Sequence, residues 1–160
     1  MRIELKWVEY RGGIVRFRIP KAWKEEYAPE GGGVFYGERP GSGTLRLDLV
    51  SAHGAGHRTT KDLVAHFERK GPFESLQDDL RIRRSRHPIV EAGVSGFLHR
   101  WEVAVPVPPD RIRIACFTYA VAARDEDDAT NRSEIALVDW SVRRAEYSRD
   151  PGRTDPRGTG

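Results

Sequence analysis

Two histidines in this chain have a spacing that could bind a metal ion. His53 and His57 lie four residues apart, and such a pair can share a zinc ion when a helix aligns the imidazoles. Gly54 and Gly56 stand between them, so we expect no helix there, and no third ligand is close in the sequence. We interpret the segment as a polar loop and predict neither a metal site nor a cofactor.

Ser95 and His99 form a pair that could support nucleophilic catalysis. The sequence around Ser95 lacks the Gly-x-Ser-x-Gly pattern that exposes a catalytic serine on a strand-to-helix turn. On a strand, residues four positions apart are separated by about 13 Å, which is too far for a nucleophile and its base. A hydrolase-like enzyme would therefore need a site assembled only in three dimensions, from His53, His57, Ser95 and His99.

A dense group of basic side chains lies at residues 81–87, where four arginines and one histidine occur. Because a guanidinium group binds carboxylates and phosphates well, we predict an exposed basic patch that contacts an acidic protein surface. Its members are Arg81, Arg83, Arg84 and Arg86. Two alternatives stay open: a solvated edge strand, where charge discourages aggregation, and neutralisation by the acidic residues 125–128.

The charge balance argues against nucleic acid as the partner. The chain has 27 Lys and Arg against 24 Asp and Glu, a net charge of +3, so acidic groups would repel phosphates over much of the surface. No aromatic residue interleaves the arginine cluster to stack on bases.

Length and composition predict one domain outside the membrane. A chain of 160 residues needs no disulfide to stabilise its core. Its one cysteine, Cys116, is expected to be a small buried apolar residue. No stretch approaches the 18 apolar residues of a membrane span, and charges near the N-terminus argue against a signal peptide. We expect a cytoplasmic protein.

Alternation of apolar and polar residues predicts strands along most of the chain. We expect about six of them, near residues 3–7, 15–19, 34–36, 45–49, 101–107 and 112–121. Gly12 and Gly13 favour a hairpin between the first two. The second half of the last strand is apolar on both faces, which predicts a central strand that is covered on both sides.

Two helices are predicted from capping residues and apolar spacing. The first begins at Thr59 or Thr60, has Asp62 in a capping box, and ends before Gly71. The second covers residues 129–144. These elements predict an α+β fold, an antiparallel sheet with helices packed against it.

Residues 73–96 and the C-terminus carry weaker patterns. Leu80 and Ile82 favour a short strand, followed by a turn at Pro88. We place the single domain at residues 1–147 and a disordered tail at 148–160, because the tail has almost no apolar side chain to anchor it.

Residues 17–23 resemble the PsbP-like superfamily, whose first strand often ends in Pro-x-x-Trp; Pro20 and Trp23 stand at those positions. The order of elements over residues 12–145 is also similar. The resemblance implies an antiparallel sheet flanked by helices. It implies little chemistry, because relatives include a photosystem subunit, a Ran-binding factor and secretion-associated chaperones. No functional motif of these relatives can be matched here, so none is carried over.

The sequence therefore favours a non-catalytic protein-binding, adaptor or chaperone-like domain. The alternative is the small enzyme described above. A deep pocket that gathers two or more of its four residues would indicate the enzyme. A shallow surface with an apolar patch would indicate the binding domain.

Overall fold

Ten strands and two α-helices form within residues 3–151, the part of the chain that the computed structural model describes. The strands are β1 (Leu5–Tyr10), β2 (Val15–Pro20), β3 (Lys24–Tyr27), β4 (Gly33–Tyr36), β5 (Thr44–His53), β6 (Glu74–Ser75), β7 (Arg81–Glu91), β8 (Val94–Val107), β9 (Arg111–Ala122) and β10 (Glu146–Tyr147). The helices are α1 (Thr60–Arg69) and α2 (Ala129–Arg143).

The strands form two antiparallel sheets. The larger sheet has the order β3-β4-β5-β9-β8-β7-β6, and the smaller has the order β1-β2-β10. The prediction of a mostly antiparallel fold with packed helices is confirmed, whereas the prediction of one sheet with about six strands is wrong. Strands β3, β6 and β10 are short and show no apolar alternation, so the pattern could not reveal them.

The core lies between the two sheets and α2. The ring of Phe17 on β2 meets Phe35 and Phe117 of the large sheet edge-on, with centroids 5.3 Å apart in both pairs. Helix α2 packs beside β2 over the same face and buries Ile135, Val138 and Val142.

Helix α1 covers the opposite face of the large sheet. Its N-terminus has the predicted capping box, in which Thr59 and Asp62 satisfy each other's backbone N–H groups. The helix buries Phe67 against Ala104 and Ile112. Strand β9 is central as predicted, but α1 covers its first half, and in the second half Thr118 and Ala120 on that face are only half-buried.

Cys116 lies on the half-buried face of β9 rather than in the core. Burial raises the pKa of its thiol, and a hydrogen bond with Arg100 opposes that rise. The prediction of an apolar environment is wrong, since the strand alternation places Ala115 and Phe117, not Cys116, toward the core.

Pro88 lies inside β7 and not in a turn, which corrects the prediction for residues 73–96. The turn comes later, at Ala92 and Gly93, both of which have positive φ. Proline is tolerated here because β6 pairs only with the first two residues of β7, so the outer edge beyond them has no strand partner in residues 3–151.

Trp23 is buried beside Pro20 and belongs to the core. Only 5 % of it is exposed, and its backbone N–H donates to the Pro20 carbonyl at 3.0 Å. None of the helices in the described part of the chain is long and apolar enough to cross a membrane.

Residues just beyond 147, where the domain was predicted to end, contact the large sheet. The buried guanidinium of Arg113 donates to the backbone carbonyls of Ser148 and Asp150 at 2.8 and 2.7 Å. Arg111 donates to the Pro151 carbonyl. Residues 148–151 are therefore held against β9, and the rest of the predicted tail, 152–160, lies outside the described residues.

Candidate binding cleft

A cleft of about 390 Å³ lies between α2 and the strands β7 and β8. Its lining is mostly charged and consists of Arg84, Arg86, His99, Glu126, Asp127, Arg132, Ile135, Ala136 and Asp139.

Strand periodicity and helix position together explain this lining. Arg84 and Arg86 point to the same face of β7 because they are two residues apart. Arg86 pairs in register with His99 of β8, which places both side chains beside the segment that leads into α2. That segment supplies Glu126, and Asp128 caps α2 by accepting from the backbone N–H groups of Thr130 and Asn131.

Glu126 joins Arg86 to His99. Arg86 donates from Nε to Oε2 at 2.9 Å and from Nη2 to Oε1 at 2.5 Å, so the guanidinium binds both carboxylate oxygens of Glu126. His99 Nε2 is 2.9 Å from Oε2, and its ring stacks on Trp101 with centroids 6.4 Å apart. The hydrogen bond from Arg86 lowers the pKa of Glu126; burial opposes this effect, and the contact with His99 adds to it.

Asp139 of α2 forms a second charged contact across the cleft, with Arg84 of β7. Its Oδ1 accepts from Arg84 Nη1 at 3.3 Å and from the Trp101 indole N–H at 3.0 Å. Its Oδ2 accepts from Arg143 Nε at 3.0 Å, one turn along α2. The two cleft-facing arginines of β7 are thus held in fixed positions by carboxylates of the opposing segment.

Several guanidinium donors in the cleft are still available. Arg132 makes no ion pair or hydrogen bond through its side chain with residues 3–151. Arg84 uses one nitrogen, and Arg86 uses two, in contacts with described residues. Since a guanidinium has five N–H groups, each of the three arginines has donors left for a molecule that enters the cleft.

The other two arginines of the predicted patch lie on the opposite face of β7, so the four do not form one surface. Arg83 donates to the carbonyls of Phe67 and Gly71 at the end of α1, and its guanidinium lies 4.1 Å from the Phe67 ring centroid. Arg81 contacts Glu68 on the same helix at 3.3 Å. The single-patch geometry is wrong because strand alternation separates odd from even positions; a binding role for the cleft pair stays a prediction.

The structure does not bring together the four residues of the enzyme hypothesis. His53 pairs with Arg111 at the start of β9, whereas Ser95 lies beyond Gly96, which pairs with Ala122 at its end. Eleven residues of strand separate these ends by about 36 Å. His57 is exposed in the loop after β5, and His99 alone enters the cleft.

Ser95 lines a different cavity of about 290 Å³, shared with Arg46 and Asp125. For His53 and His57, the question was whether they bind a metal ion. Residues 3–151 contain no group of three or more His, Cys, Asp or Glu side chains that could hold one.

Glu126, Arg132 and Asp139 were missed as site residues by the sequence analysis. The acidic residues 125–128 were considered as a neutralising partner for the arginines. Glu126 forms such an ion pair with one of them, Arg86. Arg132 and Asp139 lie seven residues apart on one side of α2, a spacing that could have identified them once β7 was known to face this helix.

Comparison with known proteins identifies the fold only. No family model matches the chain, and no curated protein matches its sequence. A solved structure of a protein from Bacteroides thetaiotaomicron VPI-5482 superposes with a TM-score of 0.57 over 94 % of this chain, at 16 % identity. The likeness is one of fold. This chain covers 51 % of that protein's chain, about half its length.

A cyanobacterial PsbP, CyanoP from Synechocystis sp. PCC 6803, is a second structural neighbour. Its TM-score is 0.40 and its identity 13 %, over 92 % of this chain and 95 % of CyanoP. The family that Pro20 and Trp23 resemble is thus represented among the structural neighbours, although no family model matches the chain. A likeness this distant carries no argument about function.

Proposed function

We propose that this chain is a non-catalytic protein-binding domain, and that the cleft between α2 and β7 binds a carboxylate-bearing segment of a partner protein. The observation that carries the proposal is the set of guanidinium groups with unused donors on both walls of the cleft: Arg84 and Arg86, which carboxylates orient, on one side and Arg132 on the other. Arg84 and Arg86 are already held in place, so they lose little side-chain entropy when a ligand binds.

The mixed charge of the cleft favours a protein segment over a nucleic acid. Three carboxylates, those of Glu126, Asp127 and Asp139, lie beside the three arginines. A polyanion would meet repulsion from these acids along its length. A protein segment can place a carboxylate against Arg132 and a neutral or basic side chain beside Asp127, so its charges can match the cleft position by position.

The enzyme alternative retains one supporting observation, the His99–Glu126 contact, since a carboxylate-oriented imidazole can act as a general base. Among the described residues that line the cleft, however, none carries a hydroxyl, thiol or lysine amine that could serve as a nucleophile. The lining therefore supports recognition better than a hydrolysis that uses a hydroxyl or thiol nucleophile.

The proposal is tested by comparing partners captured with the parent protein and with Arg84→Gln/Arg132→Gln from cross-linked native cells. Arg58→Gln/Arg69→Gln is the matched control, because both residues are exposed and flank α1 on the opposite face of the sheet. We expect one or more partners to be lost from the cleft variant alone, with cross-links mapping to α2. A partner set that is the same for both variants would contradict the proposal.

A further inference from the structure

An alternating series of arginine and tryptophan side chains crosses the outer face of the small sheet and continues onto α2. We call it the Trp–Arg ladder; in order, its members are Arg16, Trp7, Arg18, Trp140 and Arg144. The guanidinium carbons of Arg16 and Arg18 each lie 4.9 Å from the Trp7 ring centroid. Those of Arg18 and Arg144 lie 4.3 and 5.1 Å from the centroid of Trp140.

The backbone arrangement accounts for the ladder. Trp7 of β1 pairs in register with Arg18 of β2, and alternation points both away from the core side chains Val8 and Phe17. Helix α2 packs beside β2. Trp140 and Arg144 are four residues apart at its C-terminal end, where side chains at that spacing are neighbours.

The ladder is exposed at Trp7 and Arg144 and half-buried between them, and part of its charge is unneutralised. Trp7 is 45 % exposed, although it is a large aromatic residue. Arg16 is paired with Glu9 at 3.2 Å and with Glu146 at 2.6 Å. Arg18 and Arg144, in contrast, make no side-chain hydrogen bond or ion pair with residues 3–151.

A guanidinium that is stacked on an indole keeps its N–H groups at its edge, in a fixed plane. Such an edge matches the two oxygens of a carboxylate. Tryptophan and arginine are also the residue types that contribute most to protein interfaces. An exposed surface built from both, with two unpaired cations, is therefore complementary to an acidic and partly apolar protein segment.

We propose that the Trp–Arg ladder is a second interaction surface, which binds an acidic peptide segment of a partner through Arg18 and Arg144. Stacking of nucleic-acid bases is less favourable, because each of the two indole rings already carries two guanidinium groups and a base would have to displace one. The inference rests on residues outside the cleft and does not depend on the function proposed above.

The proposal predicts that an oligoglutamate peptide binds the ladder and protects Trp7 and Trp140 from acrylamide quenching. The chain's other two tryptophans are buried: Trp23 gives a constant background, whereas Trp101 contacts Arg84 at the cleft and reports binding there. Arg18→Gln/Arg144→Gln is expected to weaken peptide binding about tenfold or more, since each charge-assisted hydrogen bond contributes substantially. Arg58→Gln/Arg69→Gln, on the far side of the molecule, should bind like the parent.

Three results would overturn the proposal: no protection of the tryptophans at low salt, an equal loss of binding in both double variants, or tighter binding of an oligothymidylate of equal charge than of the peptide. Repeating the quenching measurement in Arg84→Gln/Arg132→Gln separates the two surfaces. Protection that persists in that variant supports the ladder whether or not the cleft binds a partner, and protection that disappears shows that the peptide was bound in the cleft.

Discussion

The hydroxyl of Tyr119 donates a hydrogen bond to Oε2 of Glu134 at 2.8 Å, which links the centre of the large sheet to α2. The same hydroxyl accepts from the backbone N–H of Gly43 at 3.1 Å, and Ser42 donates to the same carboxylate at 3.3 Å. Burial and the adjacent carboxylate raise the pKa of Tyr119. One phenol therefore fixes the loop before β5, the middle of the sheet and one wall of the cleft together.

Replacing Tyr119 with phenylalanine is expected to lower the free energy of unfolding by about 1–3 kcal/mol, because Glu134 and the Gly43 N–H each lose a partner in a buried site. Urea denaturation measures this change. Tyr27→Phe is the matched control: the Tyr27 hydroxyl contacts Glu25, but the residue is 52 % exposed. Tyr27→Phe should lower the free energy of unfolding by no more than about 0.5 kcal/mol. Equal effects in the two variants would contradict the role assigned to Tyr119.

Two truncations test the C-terminal boundary. A chain that ends at Pro151 keeps both carbonyl groups that accept hydrogen bonds from Arg113, and its stability should equal that of the full chain. A chain that ends at Tyr147 loses both of these acceptors and the segment that covers the guanidinium. We expect it to be less stable by about 1–3 kcal/mol, which thermal or urea denaturation would detect. If both truncations melt like the full chain, residues 148–151 contribute nothing to the fold.

How far the sequence could predict this fold depends on how local each signal is. Helix α1 was predicted closely because its capping residues, Thr59 and Asp62, act within a single turn. The hairpin of β1 and β2 was predicted, but not that it forms a separate sheet with β10, whose two residues pair with Val15 and Arg16. Such pairing joins residues that are distant in sequence, and no local pattern reports it.

The candidate site shows the same limit. A group of arginines within one short segment was interpreted as one patch, although period-two geometry already implied that Arg83 and Arg84 point to opposite faces of a strand. What the sequence could not supply was the identity of the opposing groups. Glu126 and Asp139 become partners only because α2 crosses over β8, a tertiary arrangement fixed by Ile135 and Val138 in the core.

Stability below neutral pH should depend on Glu126. Its pKa is held below the ordinary value of 4.5 in the folded protein, so the unfolded chain binds more protons in acid. The stabilisation is complete above pH 4.5 and is lost as the pH falls through the lower folded value. Glu126→Gln should therefore lose less unfolding free energy than the parent between about pH 5 and pH 3. Urea denaturation at several pH values measures the difference.

Glu30→Gln provides the control for this pH dependence, since Glu30 is exposed. Its stability curve should run parallel to that of the parent. A Glu126→Gln curve that is also parallel to the parent's would show that the contact with Arg86 has no protonation-linked effect.

Arg83 and Arg84 are adjacent in sequence and should differ in what their replacement does. Arg83 donates to the carbonyls of Phe67 and Gly71, which closes the C-terminal end of α1. Arg83→Leu removes these donors from half-buried carbonyls, and we expect a loss of about 1–3 kcal/mol together with faster amide exchange in the last turn of α1. Arg84→Leu leaves α1 untouched and removes a partly exposed contact with Asp139, so its cost should stay below about 1 kcal/mol.

The exchange measurement distinguishes a local role from general destabilisation. If Arg83 acts as a C-terminal cap, the amides at the end of α1 will lose protection in Arg83→Leu, whereas amides in β8 and β9 will change only by the global loss of stability. In Arg84→Leu, the amides of α1 should keep their protection, because the side chain lies on the other face of β7. Loss of protection in α1 in both variants would contradict the separation of the arginines between the two faces. That separation places Arg84 and Arg86, but not Arg81 and Arg83, beside the cleft where a partner is proposed to bind.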